Sequence, residues 1–213
     1  MTTFFTSDTH FHHRAQAERR GFATVEDMNE CIVRDWNARV QPGDTVYHLG
    51  DLSFAGYERT AAIVKRLNGH IHIVPGNHDE EKLLFRLHLD LSLGAPGTRL
   101  SVKPPLMDLK LSRPLPDGTS DVDRFTLCHF PLLVWNRAHY GAMHLHGHSH
   151  GNLTYPTRGI PGSFSAPLQK PRMMDVGVDT RPSWAPYSLD EVREFMKDRV
   201  HLAHDHHEER DPR

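Results

Sequence analysis

Five short clusters carry the residue types that bind metals or move protons: Asp8-Thr-His10, Gly50-Asp51, Gly76-Asn77-His78-Asp79, His129 and Gly147-His148-Ser149-His150. Asp8, Asp51 and Asn77 offer oxygen donors; His10, His78, His129, His148 and His150 offer imidazoles. That set is too large for one tetrahedral site and suits two adjacent metals sharing one carboxylate. Asparagine is an uncommon, neutral oxygen donor, and a histidine beside it can serve as an acid. Asp8 and His10 are two residues apart, as are His148 and His150, so in extended backbone each pair points to one side. A lone Asp-x-His, or Gly-Asp after a strand, is more often a turn than a metal site. Gly-Asn-His-Asp and Gly-His-x-His are sharper signals, and all five clusters in this order leave coincidence little room.

These clusters need elements to hold them. Thr2 to Ser7, Thr45 to Leu49 and His70 to Val74 are short β-prone runs, and each ends at a cluster. Helical patterns separate them. Thr24 can cap a helix on which Met28, Cys31, Ile32, Asp35 and Trp36 recur at helical spacing, and Tyr57 to Leu67 reads as a second helix ended by Asn68-Gly69. Phe11 to Phe22 reads as a polar loop carrying His12, His13, Arg14, Arg19 and Arg20. Strand and helix in alternation predict βαβ units and a largely parallel sheet, with ligands at the strand ends.

Downstream, Glu80 to His88 reads as a short helix and Asp90 to Arg113 as interrupted strands. Leu115 to Asp123 should be an exposed turn. Arg124 to Cys128, Ala142 to His146 and Met173 to Val178 read as strands, and Asn152 to Lys170 as a Pro/Gly/Ser-rich loop. Ser188 and Glu191 form a capping box for a last helix over 188–200. His144 and His146 are expected to be strand or supporting residues, and His48, His70 and His72 to be packing residues.

Composition narrows the function classes. The 213 residues suffice for a full α/β core, and a formal net charge of −2 argues against binding long nucleic acid through its phosphates. The 18 histidines are an excess that invites a metal reading. Cys31 and Cys128 are too few for a disulfide framework. No apolar run approaches membrane-spanning length and the N-terminus lacks a signal-peptide pattern, so a cytoplasmic location is expected.

The ordered set Asp8-x-His10, Gly50-Asp51, Gly76-Asn77-His78-Asp79, His129 and Gly147-His148-x-His150 resembles the calcineurin-like metallophosphoesterase superfamily, over about residues 3–178. Ser7-Asp-Thr-His-Phe11, Met28-Asn-Glu30, Val46 to Asp51 and Val176-Gly-Val-Asp179 resemble its small bacterial and phage branch of phosphoesterases and phosphohydrolases. The resemblance implies an α/β four-layer sandwich: two packed mixed sheets flanked by helices, as one domain over residues 1–200. A polar His-rich tail, 201–213, would follow, expected to be disordered.

It further implies two divalent metal ions, drawn from Mn, Fe, Zn, Ni or Co, with Mn the first to test in vitro. Asp8, His10 and His150 would hold one ion, Asn77, His129 and His148 the other, with Asp51 bridging both. Attack by a metal-bridging hydroxide would expel a leaving group that faces His78. Asp79 would orient His78 or cap the next helix. His13 and Arg20 are candidate phosphate contacts, although Gly21 stands where that branch has a proline. A small phosphoester or nucleotide is the implied substrate. A histidine on the leaving-group side favours phosphodiesters; a phosphomonoesterase, a dinucleoside polyphosphate hydrolase and a catalytically silent scaffold are the alternatives.

Overall fold

The computed structural model describes residues 1–90, 93, 99–114, 117–154 and 170–201. The expected loop over 152–170 falls largely outside that set, as does the histidine-rich tail beyond His201.

Two sheets form the body. The first runs in the order β4-β3-β2-β1-β9, from β1 (Thr3–Thr6), β2 (Thr45–His48), β3 (His70–Ile73), β4 (Leu100–Val102) and β9 (Tyr187–Ser188). Its strands are parallel except β9, which runs antiparallel to β1. The second is ordered β5-β6-β7-β8, from β5 (Leu106–Pro114), β6 (Ser120–Cys128), β7 (Met143–His146) and β8 (Met173–Asp175). Only the β5–β6 hairpin is antiparallel there. Both sheets are therefore mixed. Ser7 and Gly177 form a parallel bridge between chain segments that follow β1 and β8, tying the two sheets at their C-terminal ends.

Strand alternation explains the layering. Neighbouring side chains on a strand face opposite ways, and Phe4 and Val46 enter one core while Phe5 and Tyr47 enter another. The first core is closed by α2 (Val25–Arg39) through Met28, Ile32, Val33 and Trp36, and by α3 (Tyr57–Arg66) through Ala61, Ile63 and Val64. The second lies between the sheets, where Phe5, Leu49, Phe125, Leu127, Leu145 and Val176 meet. α5 (Leu189–Met196) joins it through Val192 and Met196. On the outer flank of the second sheet the covering layer is thin: Trp135, Ala138 and Ala142, around one turn of 3-10 helix (Ala138–Tyr140), pack on Met173.

The local signals read from sequence survive with altered ends. Thr24 caps α2 by accepting the Asp27 N–H, and Ser188 with Glu191 makes the capping box of α5. That helix stops at Met196, short of the expected Val200. α4 (Glu81–Leu89) begins one residue late. The segment expected to be a loop from Phe11 to Phe22 contains a short helix, α1 (Arg14–Arg19). Its cap is the His13 side chain, and its buried residues are Gln16 and Ala17. Such a helix carries neither an apolar period nor a usual cap residue.

Candidate metal centre

Every candidate donor lies just past the C-terminal end of a strand. Asp8 and His10 follow β1, Asp51 follows β2, Asn77 and His78 follow β3, His129 follows β6, and His148 and His150 follow β7. Backbone bonds lace these loops together: Asp8 N–H donates to Gly50 O, His10 N–H to Asp51 O, and Gly147 N–H to His129 O.

The backbone here is not extended. Among the described residues, seven non-glycine residues have positive φ, and five of them are Asp8, His10, Asp51, His148 and His150. The expected mechanism for pairing Asp8 with His10, and His148 with His150, is therefore wrong, although the pairs do face one site. Left-handed backbone is reached most readily by Asn, Asp and His among residues with a Cβ, so the ligand types and the conformation agree. Such strain concentrates at functional sites and costs of order 1–3 kcal/mol per residue. Close approach adds a second constraint. A Cβ on Gly76 would collide with the Asp51 carboxylate, and one on Gly147 with Ser7 Oγ and Asp8 Oδ2.

The donor atoms converge. His10 Nε2 lies 3.3 Å from His150 Nε2, 3.8 Å from Asp8 Oδ1 and 3.7 Å from Asp51 Oδ2. On the other side of Asp51 Oδ2, His129 Nε2 stands at 3.5 Å. Asn77 Oδ1 sits 2.9 Å from His129 Nε2 and 3.0 Å from His148 Nδ1. An ion with ligand bonds near 2.1 Å sets neighbouring donors about 3.0–3.5 Å apart, tetrahedral spacing being the wider. Asp8, His10 and His150 form one compact ligand group; Asp8, Asp51 and His129 form another.

Electrostatics makes the same case. Asp8 and Asp51 are buried, and among the described residues neither pairs with a lysine or arginine. Burial pushes the Asp8 carboxyl up to about 6, against the lowering effect of the Ser7 hydroxyl bond. Burial, helped by His150, holds the His10 imidazole down at about 2, so it is neutral, as a ligand must be. A buried carboxylate beside a neutral imidazole suits a divalent cation; His150 is shifted the other way, raised chiefly by its bond to Asp179.

Ring orientation is fixed from behind. Nδ1 of His129 is 2.7 Å from Leu49 O, and Nδ1 of His150 is 2.6 Å from Asp179 Oδ2. Donating from Nδ1 leaves the Nε2 lone pair facing the site. Asp179 also accepts from Nη2 and Nε of Arg20, at 2.6 and 2.8 Å. Burial would raise the Asp179 carboxyl, but the bonds from His150 and Arg20 outweigh it and hold it at about 2.

Two expectations need correction. Arg20 is not free for a phosphate: its side chain is only 2% exposed and also donates to the carbonyls of Asp8 and Thr9. Asp79 neither orients His78 nor caps α4. Its carboxylate accepts the N–H groups of Asp51, Leu52 and Gly76, clamping two ligand loops together. His13 caps α1 and packs edge-on against Phe54, with ring centres 3.8 Å apart.

His78 and Asn77 are exposed, and the His78 N–H donates to Asp51 Oδ1 at 2.9 Å. His144 is a buried support, its Nε2 accepting from Leu132 N–H and its Nδ1 lying 2.9 Å from Thr126 O. Asp179 and the Asp79 clamp are the parts that sequence reasoning missed. For Asp179 one signal was present: a carboxylate just past a strand, as at Asp8 and Asp51. A separate open depression of about 790 Å³ touches this site only at His150, on the Asp179 side.

The model of the calcineurin-like phosphoesterase family matches residues 1–208. The chain belongs to that family. Its two-sheet α/β architecture is the calcineurin-like fold, and membership supports a phosphoester hydrolase that uses divalent metals. The Gene 66 protein of Mycobacterium phage D29 is 28% identical over 214 residues, covering 92% of this chain and 96% of the phage protein. An uncharacterized protein of Methanocaldococcus jannaschii is 38% identical over 88 residues, which span 39% of this chain and half of that relative. The fold resembles the crystal structure of a protein of unknown function from Aquifex aeolicus. The TM-score is 0.58 at 19% identity, over 91% of this chain and 98% of the other. No helix among the described residues is long and apolar enough to cross a membrane.

Proposed function

We propose that this calcineurin-like phosphoesterase is a two-metal phosphodiesterase acting on small nucleotide-type substrates. The observation that carries the reading is the sharing of Asp51 Oδ2 between two imidazole groups, His10 on one side and His129 on the other. Asp8, His10 and His150 would hold one ion and Asn77, His129 and His148 the other, with Asp51 common to both. When bound, the two ions supply Lewis acidity toward the phosphate oxygens and a nucleophile at neutral pH.

The remaining work falls to the chain. Asp79 holds the loops of Asp51 and Gly76 at fixed separation, and Asp179 holds the His150 ring. Asn77 contributes a donor without charge, keeping the centre electron-poor. His78 is exposed on a backbone anchored to Asp51, with its ring 6.0 Å from that of His10, and would give a proton to a departing alkoxide. Alkoxides need that proton more than phenolates do, which favours diesters with poor leaving groups.

The test is a screen of Mn²⁺- and Zn²⁺-loaded protein, with metal analysis, on a bis-aryl phosphodiester, phosphomonoesters, cyclic nucleotides, dinucleoside polyphosphates and short RNA. Mn²⁺-stimulated cleavage of diesters above monoesters is expected; no stimulated cleavage of any would sink the reading. His78→Ala should keep its metal content while turnover on unactivated diesters falls roughly 10²–10⁴-fold. Undiminished turnover would remove His78 from this role.

A further inference from the structure

Two phenyl rings stand against the donor cluster with part of their surface open. Phe54 is 41% exposed and Phe130 is 44% exposed. Phe54 lies 5.3 Å from the His10 ring and 4.8 Å from that of His78, centre to centre. Phe130 lies 4.7 Å from His148 and 5.1 Å from His129. One ring thus borders the Asp8–His10–His150 half together with His78, and the other borders the Asn77–His129–His148 half. An exposed apolar residue alone is ordinary. Two exposed aromatic rings, each packed on imidazoles from a different half of one polar site, are not.

The backbone that carries each ring is anchored before any ligand arrives. The Phe54 N–H donates to Phe11 O at 2.8 Å, and Ser53 beside it forms a bridge with Phe11. Phe130 follows buried His129, and two residues on Leu132 N–H donates to buried His144 at 3.0 Å. A ring on anchored backbone and packed against imidazoles loses less freedom on binding than a free one. Its exposed surface can receive a flat π-system, and a base stacked on an aromatic side chain is a known mode of single-strand recognition. The formal net charge of −2 disfavours a long polyanion.

We infer that Phe54 and Phe130 are stacking platforms for the nucleobases on either side of the scissile phosphate, making a dinucleoside diester or short oligonucleotide the preferred substrate class. Phe54, which touches His78, takes the base of the departing nucleoside; Phe130 takes the base of the retained one. This rests on the two-metal diesterase reading.

Calorimetric titration of the Mn²⁺-loaded protein with a dinucleoside phosphinate, its bridging ester oxygens replaced by methylene so that it is not cleaved, and with inorganic phosphate tests it without turnover. The dinucleoside should bind roughly ten-fold or more tightly than phosphate, and Phe54→Ala or Phe130→Ala should each erode that preference roughly five-fold or more. Phe54→Trp should keep the preference and Phe54→Leu should lose it. Equal binding of the two ligands by the unaltered protein overturns the inference. So does a Phe54→Leu variant that matches Phe54→Trp, because apolar contact rather than stacking would then suffice. A protein that cleaves diesters yet shows either result loses only this inference. One that binds no metal and cleaves no phosphoester loses the parent reading as well.

Discussion

Asp179 touches His150 and Arg20 together, and it sets how the His150 imidazole faces the candidate metal site. Asp179→Asn keeps the shape and removes the charge that stabilises the Nδ1 proton. Loss of such a partner typically costs 10–100-fold in metal affinity, so the variant should lose a chelator competition that the parent protein wins. Unchanged affinity would reduce Asp179 to a structural clamp for Arg20. Its place could not be read from spacing, because 29 residues separate it from His150 and the contact exists only once β7 and β8 lie side by side. The donors were legible for the opposite reason. Asp-x-His, Gly-Asn-His-Asp and Gly-His-x-His are local patterns of scarce residue types. Asp79 stood in such a pattern too, but its partners are backbone amides, which no side-chain pattern encodes.

At the scale of elements, α5 carries a separable electrostatic device. Glu191 accepts both arms of Arg39, one arm of Arg181 and the Ser188 N–H. Burial would raise its carboxyl, but the Arg39 bonds and the others overcome this and hold it at about 2, against an ordinary value of 4.5. A carboxyl with a lowered folded-state pKa adds stability above its unfolded value and loses it as pH falls toward the folded one. Acid titration followed by circular dichroism should therefore show the parent losing more stability between pH 5 and pH 2 than Glu191→Gln does. Parallel curves would mean that the cluster does not couple to folding. The capping box was visible in sequence because its partners are three residues apart; the arginines were not, since Arg39 arrives from α2. Two-residue β9 and polar α1 were equally hidden, being held by their neighbours rather than by an apolar period of their own.

For the whole molecule, the donors come from both sheets. Asp8, His10, Asp51 and Asn77 follow strands of the first, and His129, His148 and His150 follow strands of the second. Metal binding should therefore report on global stability. A ligand at a hundred times its Kd adds about 2.7 kcal/mol. For a chain of this size each kcal/mol moves Tm by roughly 2–4 °C. Chelation should lower Tm by roughly 5–10 °C, and Mn²⁺ should restore it; identical melting with and without metal would contradict metal binding at Asp8 and Asp51. Parallel βαβ order was predictable from alternating strand and helix patterns. The partition of the nine described strands between two sheets was not, because sheet membership depends on edges that pair only after collapse.

The left-handed backbone at Asp8, His10, Asp51, His148 and His150 bears on how portable this site is. Gly147-His148-Ser149-His150 is contiguous, which invites grafting it into a foreign loop as a compact metal-binding tag. Yet the His148 N–H is held by the Asp8 carboxylate and the Gly147 N–H by His129 O. Cut from those neighbours, the tetrapeptide would relax to ordinary backbone, its two rings free to take other directions. A donor scaffold for protein engineering would have to be transplanted as loops from several strands at once.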